Sequence, residues 1–530
     1  MRERSAGQMI QVWREFRAFM TEHKKTMWFT AFLILAVWGQ MVFRTGIGVD
    51  TEIMIAFPET MLKSWCGIGR WGLVITKRLF GLSRFSQPVA AVAMMAALWL
   101  LCGAVGFAAD QWSGGDRRYR FFYPVFSALY VTAPCLAEQY YFQLQAFEVT
   151  WGVLMVVAAV YAAGRYIYWK EGPGWILLSV VCGAWALGSY QVMASVFIAL
   201  SAFSFLLAYQ RGAEGRGEGK RGKWFLRGLM FVAVFGLILA VYLAVSGLVR
   251  DWTGEESAYI GDMVMWKKEG IRMCLYHIKM DMRNIYLGKQ IFYSALGLPI
   301  LILGTCLFLY RGFKSNEKER ILYVMAGGFF VFSPTCMTIL TGYYQGVRVQ
   351  MVYPFVLAVT AAALTTLGAE RRKERLGSAA ALVLSGVVAW NQWVIVERLL
   401  DTAYMASVQD MKKCEDIYSQ ARLLALEQGR DIREMSLVFV GTQEMETNGS
   451  TLKGDVIGHS IFQWDADSIV GVSERVGNLM HAMGLSHQKA SQGQYAEARE
   501  KAREMPSWPL EGSIVVEEEA IIIKLSEPVY

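Results

Sequence analysis

Apolar residues arrive in blocks along this chain. They form runs of 17 to 22 residues, separated by short charged or aromatic segments. Each run is long enough to cross a hydrocarbon core of about 30 Å at about 1.5 Å per residue. The pattern predicts spans at 27–43, 88–109, 121–137, 147–164, 174–190, 192–209, 229–248, 291–310, 321–340, 349–368 and 378–397. Glycine and proline inside several runs do not break this reading, because lipid enforces helix more strongly than local propensity does. After about residue 398 the pattern changes. Residues 402–428 and 495–504 have helical periodicity with frequent charges, and Ser436 to Gly441 reads as a buried strand ending in a glycine turn. Ser513 to Val516 and Ala520 to Leu525 read as a closing hairpin around Glu517, Glu518 and Glu519. The predicted class is therefore mainly α. A polytopic membrane domain of about eleven transmembrane helices over 1–398, with long loops at 44–87 and 249–290, precedes a small α/β soluble domain over 399–530.

Composition sharpens this picture in two ways. Of the 530 residues, 55% are hydrophobic and 18% charged, against about a quarter charged in soluble proteins. The net charge of +7 does not mark a nucleic-acid binder, because the basic residues sit at the ends of apolar runs. The eight cysteines form no CxxC pair and the five histidines no tract, so neither a disulfide framework nor a zinc site is expected. No cofactor is expected, and a divalent metal ion is left open. The first apolar run follows a basic amphipathic stretch with no A-x-A site behind it, which reads as a retained first helix.

Short basic loops set the orientation. Arg2, Arg4, Arg14, Arg17, Lys24 and Lys25 precede the first span. Arg211, Arg216, Lys220, Arg221, Lys223 and Arg227 lie between spans six and seven. Arg311, Lys314, Lys318 and Arg320, then Arg371, Arg372, Lys373 and Arg375, occupy two later loops. Eleven spans put all of these on the cytoplasmic side, and both long loops and the C-terminal domain outside. The long loops also carry cations, among them Arg70, Lys77, Arg78, Lys267, Lys268 and Arg283. An outward phosphate ligand would need such charges.

Four segments could carry chemistry. Asp50 and Glu52 follow the first span; a carboxylate beside apolar surface can act as general base toward a hydroxyl, though a solvated loop acid would look the same. An apolar stretch over 53–66 and then Gly69, Arg70 and Trp71 could form a lid at headgroup level. Glu138 and Glu148 lie at the boundary of spans three and four, where acids are costly unless they face a wet cavity; a polar inter-helix turn is the plain alternative. Tyr190 and Gln191 break two long apolar runs and could hydrogen-bond a sugar or pack helices. Tyr343, Tyr344 and Arg348 form a turn before span ten. Arginine forks suit phosphate, while an arginine that merely snorkels to the interface needs no ligand.

Together these segments resemble the GtrII-like bacterial glucosyltransferases, multi-spanning enzymes of the GT-C architecture. The resemblance rests on Asp50 and Glu52 after the first span, Gly69 to Trp71, Ser189 to Gln191, and the Arg348 turn before Pro354. In the tail it adds Asn391, Asp401, Phe439 to Gly441, Gly458 to Trp464, Met505 to Pro509, and Gly512 with Ser513. The first loop departs by separating its two acids with Thr51, which leaves open which one is the base. The resemblance implies a polyprenyl-phosphate-linked hexose, glucose, as donor at the outer leaflet of the bacterial cytoplasmic membrane. It implies a surface glycan or its lipid-linked precursor as acceptor. Asp50 and Glu52 would be the catalytic acids, with Arg70, Trp71, Glu138, Glu148, Tyr190, Gln191, Tyr343, Tyr344 and Arg348 around the substrates. A lipid-linked glycan flippase, or a non-catalytic membrane protein whose outward tail binds a partner, is the competing class. No internal repeat or paired broken helix speaks for a transporter.

Overall fold

The computed structural model describes residues 2–213, 223–254, 261, 263–314, 320–368 and 374–528. Of the basic loop residues, Arg216, Lys220, Arg221, Lys318, Arg371, Arg372 and Lys373 lie outside the described residues. The chain is mainly helical with one small sheet. Its first half runs α1 (Arg2–Glu22), α2 (Lys24–Trp38), α3 (Gln40–Phe43), α4 (Thr51–Ala56), α5 (Pro58–Gly67), α6 (Trp71–Leu79), α7 (Gln87–Ser113), α8 (Phe122–Val131), α9 (Pro134–Tyr141), α10 (Gln143–Trp169), α11 (Gly174–Ser189) and α12 (Met193–Ala213). The second half runs α13 (Trp224–Thr253), α14 (Ile271–Tyr286), α15 (Gly297–Lys314), α16 (Arg320–Phe332), α17 (Cys336–Thr341), α18 (Val352–Leu364) and α19 (Glu374–Glu427). Strand β1 (Ser436–Val440), α20 (Ile469–Ala482), α21 (Gln492–Lys501), β2 (Ile514–Val516) and β3 (Ala520–Lys524) complete it.

Among the described residues six helices are long and apolar enough to cross a membrane: Gln87–Ser113, Gln143–Trp169, Met193–Gly212, Trp224–Thr253, Arg320–Thr341 and Leu376–Glu427. The apolar helices Gly174–Ser189, Gly297–Arg311 and Val352–Leu364 are shorter. The run expected at 121–137 divides into α8 and α9 because Pro134 starts a new helix, its ring being incompatible with a continuing hydrogen-bond ladder. The apolar stretch over 53–66 divides in the same way at Pro58.

Helices in an apolar solvent associate through close packing rather than hydrophobic burial. Phe126 of α8, Phe203 of α12, Phe330 of α16 and Phe355 of α18 form such a contact, with ring centroids 5.8 to 6.1 Å apart. Gly188 does the same with backbone: a methyl group there would sit 2.6 Å from the Trp71 ring, so α6 can press flat on α11.

Helix α19 has 54 residues, about 80 Å at 1.5 Å per residue. That is more than twice a hydrocarbon core, so its C-terminal half extends beyond the bundle. The helix runs unbroken through residue 398 and packs against the sheet. There β3 is central, parallel to β1 and antiparallel to β2, with Val438 opposite Ile522 and Val515 opposite Ile522. Val49, from the loop after α3, is buried in this tail core beside Cys414, Phe439 and Val472. In return Val456 of the tail packs among Met54, Leu62, Trp65 and Phe142. The two halves interdigitate at the end of the bundle where the candidate site lies.

Candidate active site

The acid loop is shaped by Gly48. A methyl group there would fall 2.5 Å from the Tyr141 hydroxyl, so only glycine lets the loop lie on that ring. Two residues on, Asp50 sits in the left-handed region at φ 68° and starts α4, a strained backbone for a non-glycine residue. Asp50 and Glu52 are in this way brought to one partner. Arg475 of α20 donates from Nη1 to Asp50 Oδ1 at 2.9 Å and to Glu52 Oε1 at 2.8 Å. Its Nε donates to Asp465 Oδ2 at 2.7 Å, and Asp465 is also left-handed, at φ 53°.

The two loop acids differ in access. The Glu52 side chain is fully buried, whereas Asp50 keeps 31% exposure. Burial pushes the Glu52 carboxyl up to about 7, against the pull of Arg475 and with a further push from Asp50. Glu52 Oε2 is buried with no hydrogen-bond partner. Against the other side of this loop lies a crevice lined by Gln40, Arg44, Thr51, Tyr141, Gln143 and Tyr404. Amide and aromatic side chains of this kind suit sugar hydroxyls and faces, and Gln143 Oε1 is buried without a partner. Arg44 itself is held by Asp401 and Gln40.

The cations gather on one face of α10 and its approach. The Arg348 guanidinium lies 5.1 Å from the Phe142 ring centroid. Arg70 donates to Gln145 at 3.4 Å and covers the Tyr190 ring at 4.7 Å. Lys77 meets Glu148 at 2.9 Å, both side chains 1% exposed. Residues 142, 145 and 148 are three apart, hence neighbours on a helix surface. Arg70 Nε is buried without a partner, and the first turn of a helix adds positive potential. Arg348 and the acid loop rest on consecutive residues, Phe142 and Tyr141.

Other expected site residues have definite structural partners. Trp71 is buried and donates to Ser246 at 3.1 Å. Gln191 donates to the Ile68 carbonyl at 2.8 Å and to Tyr242 at 3.1 Å, clipping the turn that precedes Arg70. Tyr343 turns away toward α14, its ring 4.6 Å from that of His277. Glu148 faces a buried lysine rather than a wet wall, so its charge is balanced inside the protein. Glu138 is fully buried and accepts three backbone N–H groups, from Asp455 at 2.9 Å, Val456 at 3.1 Å and Ile457 at 3.4 Å. Asp455 answers by accepting from Tyr344 Oη at 2.9 Å and from the Val347 N–H at 2.7 Å. Glu138 is likewise pushed up to about 7, chiefly by burial and then by Asp455.

Arg475, Asp465 and Asp455 are the residues that sequence reasoning missed, and Lys77, read there as a cation for a phosphate ligand, is instead the partner of Glu148. Arg475 is interleaved with an apolar stripe of Val472, Val476 and Leu479, and a charge beside such a stripe reads as a solvated face. Lys77 could have been suspected as the partner a boundary acid requires.

A model of the family described as Glucosyl transferase GtrII matches residues 39–366. The match spans more than half the chain, and the protein belongs to this family. It is therefore a membrane-associated glycosyltransferase of the glucosyltransferase kind, acting between a sugar donor and a glycan acceptor. The matched segment holds every site residue expected from the sequence and ends before Arg475. No curated protein is matched by the sequence.

Proposed function

We propose that the enzyme moves glucose from a polyprenyl-phosphate donor to a hydroxyl of a surface glycan or its lipid-linked precursor. The reaction takes place on the outer side of the bacterial cytoplasmic membrane, in an eleven-span GT-C-type fold with the N-terminus inside. The observation that carries this reading is the pairing of Asp50, solvent-reachable, with buried Glu52 beside a helix start flanked by Arg70 and Arg348. Asp50 is the base. As the acceptor oxygen bonds to the anomeric carbon, its proton passes to Asp50, the bond from that carbon to the phosphate oxygen breaks, and polyprenyl phosphate leaves with the electron pair. In-line attack inverts the anomeric centre. Arg70 and Arg348 stabilise the charge that grows on the leaving phosphate. A lipid tail held in the bilayer keeps that phosphate at headgroup depth, where the acid loop joins the bundle.

Purified protein in lipid, given polyprenyl-phosphate glucose and a glycan acceptor, should form the glycoside with inversion. Movement of intact glycan across the bilayer without sugar transfer would instead favour a flippase. Topology has its own test. With the exposed Cys306 replaced by serine, Lys489→Cys should react with an impermeant thiol reagent in intact cells and Lys223→Cys should not. The reverse labelling would move the site to the cytoplasm.

A further inference from the structure

We infer that Arg475 is the positioning residue of the acid pair, so that the C-terminal region is an obligatory part of the catalytic site. This rests on the reading of Asp50 and Glu52 given above. The geometry is specific. One guanidinium nitrogen serves both acids, at 2.9 and 2.8 Å, and the adjacent Nε is fixed by Asp465. Arg475 is 17% exposed and sits on a helix whose Val472, Val476 and Leu479 are locked in the tail core. The fork cannot swing freely, so it dictates where both carboxylates stand. It engages only Oε1 of Glu52 and Oδ1 of Asp50, which leaves one oxygen of each acid outside the ion pair.

The arrangement also has a charge logic. Three carboxylates share one cation, so carboxylates outnumber cations around Arg475. A donor phosphate would be repelled from this cluster, and its cations, Arg70 and Arg348, stand apart against the start of α10. The charges that face Glu52 are Arg475 from α20 and Asp50 from its own loop; Tyr141 of α9 faces it as well. Among the described residues no ion pair reaches Glu52 from α5 or α10. Arg475 favours the ionised form of Glu52, so its loss raises the pH at which the pair becomes competent.

The test uses the full chain in lipid and measures transfer between pH 5 and 9, with donor KM, for R475Q, R475K, D50N and E52Q. R475Q should lower kcat at least about 10-fold at pH 7, the scale on which a mispositioned base costs rate. Its acid limb should move up by about one pH unit while donor KM stays within about threefold. R475K keeps the charge and should restore the limb and much of the rate. A wild-type profile in R475Q, or a rate loss with an unmoved limb that lysine does not rescue, would overturn the inference. Loss in D50N and E52Q with normal R475Q would remove only the role of Arg475. Near-normal transfer in both acid variants would remove the acid reading itself. If R475Q does not accumulate, the E52Q/R475Q double variant decides. It removes the orphaned buried carboxylate with its partner, so its recovery supports the pairing and its failure overturns it.

Discussion

Two of the junctions between the C-terminal region and the bundle solve the problem of a buried carboxylate in different ways. At Glu138 the acid meets three backbone amides of the tail, and Asp455 returns the exchange to Val347 and Tyr344. All the donors are neutral: four backbone N–H groups and one tyrosine hydroxyl. At Arg475 three acids compete for one cation, two of them on left-handed backbone, and one oxygen of Glu52 has no partner. The first arrangement is a latch. The second keeps strain, excess charge and unused lone pairs, features that stability alone would remove and that the proposed chemistry would use. On the proposed function, the comparison separates acids that hold a protein together from acids that are available to react.

The comparison breaks most visibly at Asp50. Asp50→Asn keeps size and hydrogen-bonding atoms but loses basicity, and sugar transfer should fall by about 10² to 10⁴-fold while donor binding stays normal. Rates and binding measured side by side would decide it; near-normal transfer would make this junction a second latch. Glu52→Gln should cost less, because Glu52 is sealed from the acceptor.

Glu138→Ala addresses the opposite junction. Three amides lose a charged acceptor, and breaking a buried hydrogen-bonded network of this kind costs about 3 kcal/mol. Limited proteolysis should cut the tail faster, and activity should decline only in step with the intact fraction. A catalytic defect in fully folded Glu138→Ala protein would erase the distinction between the junctions.

The arginines packed against the start of α10 should give a smaller effect. Arg348→Ala and Arg70→Ala should each raise donor KM and lower turnover together, by about 10- to 100-fold in kcat/KM, since a phosphate contact acts in both ground and transition states. Lysine should rescue only partly, having lost the fork. Unchanged kinetics in both would take phosphate binding away from this helix face.

The smallest expected effect concerns pH and stability. Glu52 and Glu138 both have folded-state values near 7 against an ordinary 4.5. The folded state therefore holds protons that the unfolded chain releases, and stability falls as pH rises. The contribution is complete below about 4.5 and is lost through about 7. Thermal unfolding of the protein should show a modest decline over that window, and Glu52→Gln should flatten part of it. A slope of opposite sign would mean that the acids are better stabilised as anions than their burial implies.

Much of this was legible in the chain. Long apolar runs can only be satisfied in lipid as helices, so the class and several helix positions follow from composition and period. The β1 strand, the closing hairpin and the acidic loop are equally local signals. The sequence also contains the α10 residues on which the cations rest, but nothing in it says that Arg348 and Arg70 share a helix face, because one comes from 206 positions beyond Phe142 and the other from 75 before Gln145. The roles of the boundary acids were not legible either. Glu138 and Glu148 look alike in sequence, yet one takes backbone amides of the tail and the other a lysine of α6. Arg475 lies 423 positions from Glu52 and reads as a surface charge until the tail folds back on the acid loop. A carboxylate's chemistry depends on which charges and how much water surround it within a few ångströms, and only the packing of distant segments decides that.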